Sequence, residues 1–200
     1  MKRITLIAAI ALILFSAYTS GGYKTGDKAS DFKLKNVDDK MISLTDYKNA
    51  KGIIVVFTCN HCPFAQKYES RIMDLDKNYK SKGFPVVAIS PNDPGIVPDD
   101  SFDNMKKRAK EKGYTFPYLI DETQNVAKEY GATKTPHVYI LEKQNEAYVV
   151  RYIGAIDDNC DDASAVKEKY AENAINNILA GKAVTPETTK AIGCSIKWKE

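Results

Sequence analysis

Ile53-Ile54-Val55-Val56-Phe57-Thr58-Cys59-Asn60-His61-Cys62-Pro63-Phe64 decides the reading of this chain. Five consecutive apolar residues, Ile53 to Phe57, suit a strand buried on both faces. After the second cysteine, Phe64, Tyr68, Ile72, Leu75 and Tyr79 recur at steps of three and four, which gives a long helix one apolar face. The two cysteines therefore fall where a strand ends and a helix begins. Unpaired backbone N–H groups and the positive end of the helix dipole favour a thiolate there, and the thiolate is the species that attacks a disulfide. His61, between the sulfurs, adds a second source of positive potential. On this reading Cys59 is the attacking nucleophile, with a pKa below the free thiol value, and Cys62 resolves the mixed disulfide.

Outward from the motif, Phe32 to Leu44 alternate apolar and polar across a turn at Asp38-Asp39-Lys40, which predicts an N-terminal hairpin. Downstream the pattern predicts a strand at Val86 to Ile89 and a loop rich in Pro, Asp and Asn from Ser90 to Asp100. A helix over about 101–112, a strand at Tyr118 to Ile120 and a short helix stopped by Gly131 follow. Thr135 to Leu141 forms a strand led by Pro136 and pairs with Ala147 to Ile153. Ala163, Val166, Tyr170, Ala174 and Ile178 predict a last helix that ends at Gly181. The tail from Lys182 has no periodicity.

The first residues carry Lys2 and Arg3 and then no charge from Ile4 to Tyr23. This reads as a secretory signal peptide over 1–22, cleaved between 17 and 22, ahead of one domain over 23–200 that includes the tail 182–200. Its removal turns 29 basic against 26 acidic residues into 27 against 26, a formal charge of +1. Basic and acidic residues are interspersed, so the chain has neither a nucleic-acid footprint nor a polybasic membrane patch.

The order of elements, β-α-β, an α-β-α insertion and then β-β-α, resembles the thioredoxin superfamily when taken with the dithiol and the Thr135-Pro136 dipeptide. The resemblance covers nearly all of residues 26 to 181. It implies an α/β fold with a central mixed sheet flanked by helices, and a cis Pro136 lying against the dithiol, with Thr135 and Pro136 supplying backbone for a substrate peptide. Cys-Asn-His-Cys-Pro-Phe at 59–64, Ala88-Ile89-Ser90 with Asn92-Asp93, Tyr152-Ile153-Gly154 with Ile156-Asp157-Asp158, and Ile192 to Lys199 are similar to the peroxiredoxin-like branch, grouped with the alkyl hydroperoxide reductase and thiol-specific antioxidant proteins.

These features lead to an exported, periplasmic or extracytoplasmic thiol–disulfide oxidoreductase. It would act as a monomer and without a cofactor, exchanging with substrate protein thiols and reset by a separate redox partner. Cys59, Cys62, His61 and Pro136 form the catalytic set; Thr135, Pro136 and Asn60 contact substrate; Asn92 and Asp93 are candidates for proton transfer at Cys62. Cys160 and Cys194 make the cysteine count even and are candidates for a second disulfide, although Cys194 as a third redox thiol or a buried one is also open. A structural zinc site would need those two to converge on the motif.

Two alternatives are open. Cu(I) favours thiolate and accepts imidazole, so Cys59, Cys62 and His137 could hold copper, although copper-delivery proteins of this fold place three residues between their cysteines. Peroxiredoxins carry Pro and Thr or Ser seven and three residues before the peroxidatic cysteine. Here those positions are Val55 and Cys59, or Gly52 and Val56. The direction of electron flow is open: a His before the second cysteine resembles strongly oxidising periplasmic dithiol oxidases, whereas the small insertion resembles exported reductases.

Overall fold

A run of apolar residues buries well in a strand only if both faces of its sheet are covered, and that is how Ile53 to Phe57 are placed. The computed structural model describes residues 21–200; the predicted signal segment lies almost wholly outside the described residues. Strand β1 is Lys28–Ala29, and β2 (Lys33–Asn36) and β3 (Met41–Ser43) form the N-terminal hairpin. Strand β4 is Gly52–Phe57, followed by α1 (Pro63–Tyr79), β5 (Val86–Ser90), α2 (Phe102–Lys112), β6 (Tyr118–Ile120) and α3 (Asn125–Tyr130). Then come β7 (Lys134–Thr135), β8 (His137–Gln144), β9 (Ala147–Gly154), α4 (Tyr170–Leu179) and β10 (Cys194–Ser195).

Eight strands make one mixed sheet in the order β1-β9-β8-β4-β5-β6-β2-β3, and β10 pairs with β7 beside it. Strands β4, β5 and β6 run parallel, and β8 runs antiparallel to β4. Side chains alternate across a strand. Ile54 and Val56 accordingly pack with Tyr68, Ile72 and Leu75 of α1 and with residues of α2 and α4. Ile53, Val55 and Phe57 pack on the other face with Ala127 and Tyr130 of α3, Leu44 and the tail residues Ile196 and Trp198. The central strand is thus covered on both sides, and its C-terminal end delivers the motif to the end of the sheet where the parallel strands β4 and β5 finish.

Helix α1 starts where it does because Pro63 occupies its first position, where a missing N–H costs nothing. Cys62 is the N-cap, and its carbonyl accepts from the Gln66 N–H at 3.0 Å. The insertion is fastened to α1 by buried Glu69, which accepts from Arg108 Nε at 2.7 Å and from the Tyr114 hydroxyl.

The hairpin, the strands and the first three helices lie where the pattern places them, but the last helix is shorter. It begins at Tyr170, with only a 3-10 turn at Ala163–Ala165 ahead of it. Side chains in the acidic segment take the backbone N–H groups: Asp162 caps Ser164, and Asp158 accepts from the Lys167 N–H at 3.0 Å. Such local bonds compete with helix formation. The tail is ordered against the fold despite its lack of periodicity. No helix among the described residues is long and apolar enough to cross a membrane.

Candidate active site

The sulfurs of Cys59 and Cys62 lie at the junction of β4 and α1, in a small cluster with Ala65, against which Phe64 and Cys194 pack. Both are buried, Cys59 at 4% exposure and Cys62 at 0%. The Thr135–Pro136 peptide bond is cis. It brings Thr135 directly over the pair, with its hydroxyl 3.3 Å from Cys59 Sγ and its carbonyl accepting from Cys62 Sγ at 3.2 Å. Pro136 is buried beside it. Cys59, Cys62, His61, Thr135 and Pro136 therefore come together as the motif and its resemblance imply.

The charge distribution differs from the expectation. Because α1 starts at Pro63, its free N–H groups serve Cys62, the N-cap, and not Cys59. The Cys59 thiol, then the Cys194 thiol and the backbone N–H groups of Ala65 and Cys194 all favour an anion on Cys62 and bring its pKa down to about 4. The proton shared with Cys62, then burial, then the Asp100 carboxylate push the Cys59 thiol up, against hydrogen bonds from Thr135 and the Cys62 N–H. Of the two sulfurs, Cys62 is the one that more readily takes the negative charge, and on ionising it gives up its hydrogen bond to the Thr135 carbonyl.

Asp100 is the residue the sequence reading missed. It is fully buried at the end of the Pro- and Asp-rich loop. Its Oδ1 accepts from the Asn60 N–H at 2.7 Å and the His61 N–H at 3.0 Å, and its Oδ2 meets His61 Nδ1 at 2.5 Å. Nothing in a loop sequence distinguishes this aspartate from Asp99 beside it. His61 Nδ1 lies 3.6 Å from Cys59 Sγ, a longer contact than the one to Asp100. His61 is held primarily by the carboxylate.

Three assigned residues take other roles. Asn60 is buried, donates to the Asp99 carbonyl at 2.9 Å and accepts from the Tyr118 hydroxyl at 3.0 Å, so its side chain braces the motif instead of facing a substrate. Asn92 donates to Asp100 Oδ2 at 2.8 Å and accepts from the Lys197 N–H at 2.9 Å. It links the motif to the tail and has no proton to relay. Asp93 shapes a turn, with its side chain accepting from the Gly95 N–H and its carbonyl accepting from Ile96 and Val97.

The distal cysteines do not pair with each other: all four are free thiols. Cys160 is buried in the α1 face of the core, where Arg71 donates to its carbonyl, whereas Cys194 packs at the motif. The even count misleads because proximity is decided by the fold. His137 does not complete a copper site either. Its ring stacks obliquely on Tyr139, and its Nδ1 faces the Thr133 N–H at 3.4 Å. Among the described residues the metal-capable group is Cys59, His61 and Asp100, with ligand atoms within 4.8 Å of one another.

Burial pulls the His137 pKa from 6.5 down to about 4, which keeps the ring neutral at neutral pH. Its folded value lies below its unfolded one, so the unfolded chain takes up the proton first. The associated stability is full above pH ~6.5 and is lost as pH falls toward about 4, by up to roughly 3 kcal/mol. Urea titrations across that window should show the slope for the native chain and a flatter one for His137→Phe. An unchanged slope would rule out this contribution.

Comparison with known proteins agrees with the architecture. The AhpC/TSA family model matches residues 25–158. The thiol-disulfide oxidoreductase ResA of Geobacillus thermodenitrificans is 24% identical over 151 residues, 73% of this chain and 82% of that protein. The crystal structure of an uncharacterized conserved protein from Geobacillus kaustophilus superposes with a TM-score of 0.81 at 40% identity, covering 88% of this chain and 93% of the other. A putative thiol:disulfide interchange protein DsbE from Chlorobium tepidum shares the fold, with a TM-score of 0.60 at 20% identity over 78% of this chain and 98% of its own. With the dithiol held at a strand–helix junction under a cis proline, the chain belongs to the AhpC/TSA family and is a thiol–disulfide oxidoreductase with a thioredoxin-like fold.

Proposed function

We propose that the mature protein works outside the cytoplasm and exchanges its Cys59–Cys62 dithiol and disulfide with the thiols of substrate proteins. The observation that carries this reading is the sulfur pair held under Thr135 and the cis Pro136. The Lys2-Arg3 start and the uncharged run after it support export.

Cys59 is the attacking sulfur, because it is the less deeply covered of the pair and has the partly exposed His61 beside it. The greater acidity of Cys62 does not prevent this. Transfer of one proton along the S–H···S contact moves the anion to Cys59, where the Thr135 hydroxyl and the Cys62 N–H receive it. The Cys59 thiolate attacks a substrate sulfur and expels the other as a thiolate. Cys62 then passes its proton to the departing substrate thiolate and, as a thiolate, attacks Cys59, which closes the internal disulfide and releases the reduced substrate; with oxidised protein the same steps run in reverse.

Dedicated peroxide reduction has no support at the motif. The positions that would carry the peroxidase Pro and Thr are Gly52, Val55, Val56 and Cys59, and the first three lie inside buried β4. Equilibration with glutathione buffers, read by alkylation and mass spectrometry, should show one disulfide between Cys59 and Cys62. A potential near about −120 mV marks an oxidase and one near about −270 mV a reductase. A pair that stays reduced through the whole glutathione range defeats the proposed exchange.

A further inference from the structure

Both motif sulfurs are buried, and the chain's own tail packs beside them. Strand β10 runs antiparallel to β7 with Cys194 opposite Thr135 and Ser195 opposite Lys134. Thus the backbone edge assigned to a substrate peptide is already taken by an extended segment with a cysteine at the register position beside the dithiol. Cys194 packs against the Cys59, Cys62 and Ala65 cluster, close enough to Cys62 to influence its ionisation. It is the more exposed sulfur of the three, intermediate where the others are buried.

The tail is fastened on both sides of this contact. Ile196 is buried in the core face opposite α1. The Lys197 N–H donates to Asn92, and its carbonyl accepts from Gln124 Nε2 at 2.8 Å and from the Asp93 N–H at 3.0 Å. Gln124 Oε1 in turn accepts from the Lys199 N–H at 2.8 Å. Gly193 passes so close to the Thr135 carbonyl that a Cβ there would collide with backbone. These contacts hold a specific register and bring Cys194 to Cys62, as a bound substrate strand would bring its own cysteine.

We propose that Cys194 is a third redox thiol, carried on a built-in substrate-like strand, and that it forms a disulfide with Cys62. The inference rests on the exchange reading above and extends it. In the oxidised protein the Cys194 thiolate attacks Cys62 Sγ. A Cys194–Cys62 bond forms as the Cys62–Cys59 bond breaks, the electron pair leaves on Cys59, and Cys59 takes up the proton that Cys194 released. No outside oxidant is needed, because one disulfide is exchanged for another. The result moves the disulfide from a buried pair to a partly exposed sulfur, where an external thiol can attack it.

The test is peptide mapping after equilibration with oxidised glutathione and acid quenching. Cys59→Ser should convert more than half of the protein to a Cys62–Cys194 disulfide, and Gly193→Ala introduced into that variant should lower the yield severalfold by lifting the tail. In the otherwise native chain, Cys194→Ser should slow reduction of the oxidised protein by glutathione about tenfold. If both Cys59→Ser and the oxidised native chain yield no Cys62–Cys194 peptide, the relay is overturned. A Cys59–Cys62 disulfide that still forms in Cys194→Ser shows that the underlying exchange reading survives. Its absence in that variant shows that the underlying reading has failed as well.

Discussion

Cys59→Ser abolishes reduction of a model protein disulfide, a fall of about a thousandfold or more, because the attacking atom is gone. Cys62→Ser has a different result: attack continues, the mixed disulfide has no partner to resolve it, and substrate accumulates on Cys59. The pair is asymmetric in its titration as well. The Cys59 thiol is the foremost donor holding the Cys62 pKa near 4, so Cys59→Ser should raise the Cys62 value toward an ordinary thiol. Cys62→Ser should let the Cys59 value fall, since sharing a proton with Cys62 is the largest cause that pushes it up. Thiolate absorbance across pH reads both. The native dithiol should show about one anion per molecule above pH ~5, lost as pH falls through about 4. Trapping of substrate through Cys62 would reverse the assigned roles, and a native pair with no anion at neutral pH would refute the stabilised thiolate.

The parts of this site that could be read from the sequence are those written in neighbouring residues. An apolar run, two cysteines, Pro63 and a helical repeat are local signals, and β4, the motif and α1 lie where those signals place them. The cis proline was available only through the family resemblance, since Thr135-Pro136 looks like any strand entry. What escaped depends on distant pairing. Asp100 sits 40 residues from Asn60 and acquires its role only when the loop folds over the motif. Strand β10 is two residues long and takes its conformation from β7, so no periodicity announces it. The missing start of the last helix has a local cause, but one that competes with propensity: Asp158 and Asp162 offer the backbone a different set of bonds. The candidate Cys160–Cys194 pairing came from counting cysteines, a global quantity that contains no distance.

Asp100 links the motif residues Asn60 and His61 to Asn92, and its removal should have the second large effect. Asp100→Ala leaves the Asn60 and His61 N–H groups and the Asn92 amide without their acceptor. Buried donors left unsatisfied cost about 1–3 kcal/mol each, so the loss should reach on the order of 3–5 kcal/mol. Asp100→Asn separates geometry from charge. It keeps one oxygen for the two N–H groups but sets an amide nitrogen against Asn92, and should cost about 1–2 kcal/mol. Both changes remove the carboxylate that opposes an anion on Cys59, so in either variant the Cys59 thiol should titrate lower than in the native chain. Asn92 would also lose its hold on one side, and because it anchors the Lys197 N–H, native-state alkylation of Cys194 should accelerate. Denaturant midpoints, thiolate titration and alkylation rates measure these three effects separately. A purely structural aspartate would shift the first alone; an unmoved Cys59 titration in Asp100→Asn would show that this carboxylate does not set the charge balance of the pair.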